Sequence, residues 1–316
     1  MCRAFIKNLR SGKAQITAVR HFPDSIIISQ DTPGIKKQLP LLRQNAHNGI
    51  IKACNTVRSK RGITVKRYQD INAETIDRWI DEGWEWGVPI DTETFRRAKN
   101  GDWDVVLTPT KPVPHAWFGE LFGKKLLGLA SGGGQQMPVF AALGADCTVL
   151  DYSEKQLESE RLVAKREGYG IRIVRADMTQ PLPFRDGEFD IIFHPVSNCY
   201  IRDVRHVWRE CFRVLKPGGV LLSGTDHYVN YLVDEAEERI INRLPFDPLA
   251  NPDQMEQLSA TDSGVQFSHT IEEQIGGQLE AGFILTDIYE DTNGSGRLHD
   301  MNIPTFLAMR SVKPLK

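Results

Sequence analysis
Long apolar runs are missing from this sequence. No stretch approaches the roughly 18 to 20 apolar residues that cross a bilayer, so a membrane-spanning helix is not expected. The opening MCRAFIKNLRSGK has no apolar core of the kind a secretion signal needs. Cysteine is sparse: Cys2, Cys54, Cys147, Cys199 and Cys211. An odd, scattered set without a C-x-x-C pair argues against a disulfide framework or a zinc site and suits a cytoplasmic protein. Acidic residues are scarce in the first 62 positions, which hold 12 Lys and Arg against Asp24 and Asp31. The remainder is acidic, with 27 basic residues against 39 acidic. Two regions of different character therefore meet near Gly62.

Residues 1–62 show no sustained period of 3.6 or 2, and SIIIS at 25–29 has no local partner. A basic arm for nucleic acid or a transit peptide would fit the composition. The preferred reading is an extension with little order of its own. From 63 to 122 the character changes to a helical, tryptophan-rich lead-in. Asn72 can cap a helix carrying Ile76, Trp79 and Ile80 and ending at Gly83. Five of the six tryptophans follow closely: Trp79, Trp84, Trp86, Trp103 and Trp117. Such density implies a packed sub-core or an aromatic lid, with Trp84 and Trp86 the lid candidates. VLTPTKPVPH, 106–115, carries three prolines and reads as an extended linker.

Residues 123–316 read as the main domain, where strands and helices alternate. KKLLGLA (124–130) is a strand, Gln135 to Leu143 a helix, and CTVLD (147–151) a strand ending in an acid. Ser153 with Gln156 forms a capping box that opens a helix to about Arg166, with Gly168 just beyond. IRIVRAD (171–177) and EFDIIFHP (188–195) are further strands. Asp203 opens an amphipathic helix, and VLLSG (220–224) follows the turn KPGG. This alternation predicts an α/β fold, a mostly parallel, doubly wound sheet. Ligands of such sheets sit outside the carboxyl ends of the strands. The glycine stretch LLGLASGGGQQ lies there, and an acid at the end of the second strand, Asp151, can hold both hydroxyls of a ribose. Up to this point a dinucleotide and S-adenosylmethionine fit equally.

The third strand also ends in an acid, Asp177, placed to accept from an adenine amino group. PLPFRDGEFDIIF, a helix, and then FRVLKPGGVLL resemble a class I S-adenosylmethionine-dependent methyltransferase, from about Leu126 to Gly224. The resemblance implies a seven-stranded sheet whose last strand is antiparallel. The tail matches, with a helix from His269, strands at 281–291 and 303–312, and the loop NGSGR between them. It also implies S-adenosylmethionine as cofactor, held by Ala130, Ser131, Gly132, Gly134 and Gln135 of the loop, by Asp151 and Tyr152, by Asp177 and Met178, and by His194. The family's usual acid and first glycine in this loop are replaced by Gly128 and Ala130. His194 and His227 are the candidate general bases, with Asn198, Tyr200 and Asp226 nearby.

The acceptor is not legible. The acidic main domain argues against nucleic acid and for a small molecule. The segment 226–267 is expected to cover the acceptor pocket. An NAD-dependent oxidoreductase is a rival, although Met137 stands where a third loop glycine belongs. A non-catalytic binder of S-adenosylmethionine is a second rival.

Overall fold
In the computed structural model the described residues are 57–59, 62–64 and 66–316. The expected basic extension otherwise lies outside them. Val57–Ser59 and Gly62–Thr64 form a short antiparallel pair. From Gln69 to Lys316 the chain packs as one compact unit, so the tryptophan-rich segment and the sheet share a body.

Seven strands form the main sheet: β1 (Lys125–Leu129), β2 (Asp146–Asp151), β3 (Arg172–Arg175), β4 (Phe189–His194), β5 (Leu215–Asp226), β6 (Ile284–Asp291) and β7 (Phe306–Val312). Their order is β3-β2-β1-β4-β5-β7-β6. The first five are parallel, and β7 runs antiparallel to both neighbours. The order reverses beside β1, which opens a crevice above its carboxyl end. KPGG is not a turn ahead of a strand but a bulge inside one. Phe189 pairs with Leu215 and Ile191 with Val220, so Lys216–Gly219 loop out between them. Gly218, at φ 77°, turns the bulge.

Side chains alternate across the sheet and build two cores. Leu126, Ile191, Phe193 and Leu222 enter one, beneath Phe118 and Phe140. Leu127, Leu129, Ile192 and Leu221 enter the other, around Trp208. The α-helices longer than one turn are α1 (Tyr68–Asp81), α2 (Thr92–Lys99), α3 (Gln136–Ala142), α4 (Glu154–Glu167) and α5 (Val204–Val214), followed by α6 (Pro252–Ala260) and α7 (Gly277–Ala281), the last entered through a π-helical turn at Glu272–Gly276. Three caps follow the expected chemistry. Ser153 accepts from Gln156 N, Asp203 accepts from His206 N, and Gly168 closes α4 in the left-handed region. Asn72 is not a cap. It lies inside α1, buried, and its amide pairs both ways with the backbone of Val265. No helix among the described residues is long and apolar enough to cross a membrane.

The tryptophans divide. Trp103 and Trp117 pack against the first core. Trp79 and Trp84 pack with their rings tilted at 58° and centroids 5.4 Å apart, with Trp86 against them.

Candidate functional site
β1 runs straight into the glycine stretch, and its end departs from ordinary strand geometry. Ala130 has φ 48°, Gly133 98° and Gly134 69°. A left-handed alanine costs energy unless its surroundings hold it there. The holding contacts come from β2 and α4. Gly132 N donates to Asp151 Oδ2 at 3.1 Å, Gly133 N to the Gln156 carbonyl at 3.0 Å and Gly134 N to Glu160 Oε1 at 2.8 Å. On the other side, Gln135 Nε2 donates to the carbonyls of Glu85 and Val88, and Ile90 N donates to Gly134 O. The loop is thereby tied to the tryptophan segment.

A cleft of about 1020 Å³, including space open at its mouth, lies at the carboxyl ends of β1 to β4. Ala130, Ser131, Gly132, Gln135, Asp151, Tyr152, Asp177 and Met178 all line it, as do Trp84 and Trp86. Asp151 Oδ1 also accepts from Ser153 N at 3.0 Å. Burial pushes its carboxyl up to about 6, against the pull of these backbone donors. Asp177 Oδ1 is held by the amide and hydroxyl of Thr179. Among the described lining residues the charged ones are Asp151 and Asp177.

Three expected site residues are not on the wall. Gly134 is sealed behind the loop, where a Cβ would meet Pro89, Ser159 O and Val163 at 2.9 to 3.0 Å. His227 lies off the lining, its ring tilted against Tyr228, and its Nδ1 accepts from Val229 N. His194 is fully buried beneath the cleft. Its Nδ1 lies 2.8 Å from the Leu129 carbonyl and its Nε2 2.9 Å from the Asn198 amide. A carbonyl only accepts, so Nδ1 carries the proton and Nε2 must accept. Burial also lowers the imidazole's affinity for a second proton. Asn198 Oδ1 faces Nε2, and Asn198 Nδ2 faces Gln274 Oε1 at 3.0 Å. Amide oxygen and nitrogen are assigned from their partners, so an accepting Nε2 requires both amides turned, with Asn198 Nδ2 donating to the ring and its Oδ1 accepting from Gln274 Nε2. His194 is a neutral pillar joining β1 to the π-helical turn before α7, and it offers no base to the cleft.

Other wall residues were not expected. Val106, Leu107 and Thr108 line the cleft, so 106–115 is a strap and not a linker. The Leu107 carbonyl accepts from Val196 N, and the strap lies directly on Gly224 of β5, where a Cβ would strike it. Gly224 was the one visible signal. Gln69, Asn72, Ala73 and Ile76 bring α1 over the opening. Tyr152 OH donates to Asp70 Oδ1 at 2.6 Å, Ser153 Oγ to Asp77 Oδ1 at 2.5 Å and Gln69 Nε2 to Thr179 Oγ1 at 3.1 Å. The segment 226–267 does not reach the lining. It braces α1 from behind through Val265 and an Arg78–Asp262 ion pair.

The strand order, the loop and the strand-end acids define the Rossmann-like class I methyltransferase fold. A family model described as a methyltransferase domain matches residues 127–223. An uncharacterized methyltransferase, YbaJ, of Bacillus subtilis (strain 168) is 43% identical over 249 residues, 77% of this chain and 97% of that protein. The chain belongs to this methyltransferase family. A ubiquinone biosynthesis O-methyltransferase of Erwinia tasmaniensis is 31% identical over 105 residues, 33% of this chain and 43% of that one. An S-adenosylmethionine-dependent methyltransferase from Mesorhizobium loti shares the fold, with a TM-score of 0.51 at 21% identity over 62% of this chain and 94% of its own. The protein is an enzyme, a methyltransferase with the fold of the S-adenosylmethionine-dependent class.

Proposed function
We propose that the cleft binds S-adenosylmethionine and passes its methyl group to a small-molecule acceptor. The orientation of the loop amides carries this reading. A pyrophosphate loop must present N–H groups to its ligand. Here the N–H groups of Gly132, Gly133 and Gly134 point into Asp151, Gln156 and Glu160. That disfavours NAD and suits a ligand without phosphate. The charge of the wall agrees: Asp151 and Asp177, with the aromatic faces of Trp84, Trp86 and Tyr200, favour a cation such as a sulfonium.

In this reading Asp151 accepts from the ribose hydroxyls, while Asp177 and Met178 meet the adenine edge. Gly128 supplies no carboxylate for the amino acid end. Ser131 and Gln136, which lie 3.4 Å apart and both line the cleft, are the polar groups offered there. The bound cofactor supplies a methyl already activated by its sulfonium. The protein's task is to align the acceptor and exclude water. The strap at 106–108, α1 and the wall tryptophans Trp84 and Trp86 enclose the space left for an acceptor.

Two measurements test the reading. In a thermal-shift series, S-adenosylmethionine and S-adenosylhomocysteine should raise the melting temperature and NAD should not. Stabilisation by NAD alone would replace the assignment with an oxidoreductase. Label from methyl-labelled cofactor should then appear in a metabolite of a cell extract. Binding without transfer would leave a binder, not an enzyme.

The Asp151 carboxyl adds a pH dependence. Above about 6 it is the carboxylate that accepts from the ribose, and below that it is increasingly protonated. Cofactor affinity should fall about tenfold per unit as pH drops below 6, measured by calorimetry. Stability of the free protein runs the other way. The folded value lies above the unfolded one near 3.9, so this group has no effect on stability below about 3.9, costs stability progressively as pH rises from there, and costs it in full above about 6. Affinity that stays flat from pH 7 to 5 would remove Asp151 from the ribose.

A further inference from the structure
We propose that Glu160 is a positioning residue for the cofactor loop, holding the left-handed Gly133–Gly134 turn from α4 without touching the ligand. The inference rests on the reading that this loop seats S-adenosylmethionine.

Glu160 occupies a core position. It is 0% exposed and shares the buried face of α4 with Leu157 and Val163. A carboxyl there is costly, and leucine would suit the helix better. What the acid provides is one contact: Oε1 accepts from Gly134 N at 2.8 Å, while Oε2 has no partner among the described residues. Without that oxygen the Gly134 amide would be buried and unpaired at a left-handed turn. The three loop amides are thus held by one strand–helix unit, at Asp151, Gln156 and Glu160. Asp151 and Gln156 line the cleft, and Glu160 does not. It acts on the ligand only through the shape of the loop.

The surroundings keep Glu160 uncharged at neutral pH. The titratable groups acting on it are Asp151 at the end of β2, the Cys147 thiol within β2 and Tyr169 beyond α4, none of them cationic. Burial, reinforced by Asp151, pushes its carboxyl up to about 8. Ionisation above that pH sets a second buried negative charge behind the loop.

Calorimetry of the full chain with S-adenosylmethionine tests the proposal on Glu160→Gln and Glu160→Leu, with urea unfolding to confirm that each is folded. At pH 7 the Leu variant should bind about tenfold more weakly, and the Gln variant, which keeps an acceptor oxygen, within twofold of wild type. Above pH 8 the wild-type affinity should decline while that of the Gln variant stays level. A folded Leu variant with wild-type affinity overturns the proposal, and so does a Gln variant as weak as the Leu one. If the Leu variant does not fold, the Gln variant decides: an alkaline decline that persists in it overturns the proposal. If wild type itself does not bind, the cofactor reading has failed, and this one with it.

Discussion
Replacing Asp151 with alanine is expected to abolish measurable binding of S-adenosylmethionine. The carboxylate would accept from two ribose hydroxyls, and hydrogen bonds to a charged group contribute roughly 1.5–3 kcal/mol each. Losing both weakens binding by at least about a hundredfold, since about 1.4 kcal/mol is a factor of ten. The same change frees Gly132 N and Ser153 N, which Asp151 now holds. The loop loses one of its three amide anchors, so the effect exceeds that of two ligand contacts. Asp151→Asn keeps oxygen toward one set of donors and should fall between. Calorimetry reads both, and near-wild-type affinity in the alanine variant would mean the cofactor lies elsewhere.

The second large effect concerns the acid that the loop lacks. Gly128→Asp would restore the residue type usual in the family, yet it is expected to damage this protein. A Cβ at Gly128 would lie 2.5 Å from Met137 Sδ and 2.7 Å from its Cε. Gly128 and Met137 are both buried on the face of β1 that packs on α3. Overpacking costs roughly 1–3 kcal/mol, and an unpaired buried carboxyl adds a comparable amount. At this chain length each kcal/mol lowers the melting temperature by about 2–4 °C, so a drop on the order of 10 °C follows. Gly128→Asp combined with Met137→Ala removes the collision and should recover part of it. An unchanged melting temperature in the single variant would show that Met137 moves aside freely, and that the missing acid has another cause. The methionine that breaks the dinucleotide glycine pattern and the glycine that breaks the methyltransferase pattern are one packing solution.

Much of the site was legible because its determinants are local. Apolar runs of strand length ending in Asp151 and Asp177 mark two strand ends at the ligand side of any parallel sheet. Ser153, Asp203 and Gly168 mark helix ends by capping chemistry that needs no tertiary context. A triplet of glycines after a strand signals a close turn. These features alone assembled the α/β sheet and the loop that lines the cleft.

The remainder depended on which side chains meet across long sequence separations. His194 stands at a strand end like the two acids, but its ring points beneath the cleft and is consumed by Leu129 and Asn198. The strap at 106–108 carries prolines that locally signal a linker, and only its seating on Gly224 makes it a wall. The segment 226–267 has the aromatic content of a pocket cover, yet it packs behind the wall, on α1 and on Cys199 and Tyr200. Glu160 carries no local signal of its role, which exists only because the turn of the loop brings Gly134 N to it. By itself the sequence determined the order of the elements, the strand-end acids and the glycine turn, because periodicity and capping act over a few residues. The tertiary structure alone decided which polar groups face the cleft and which are spent holding it in shape, because that depends on which distant groups become hydrogen-bond partners.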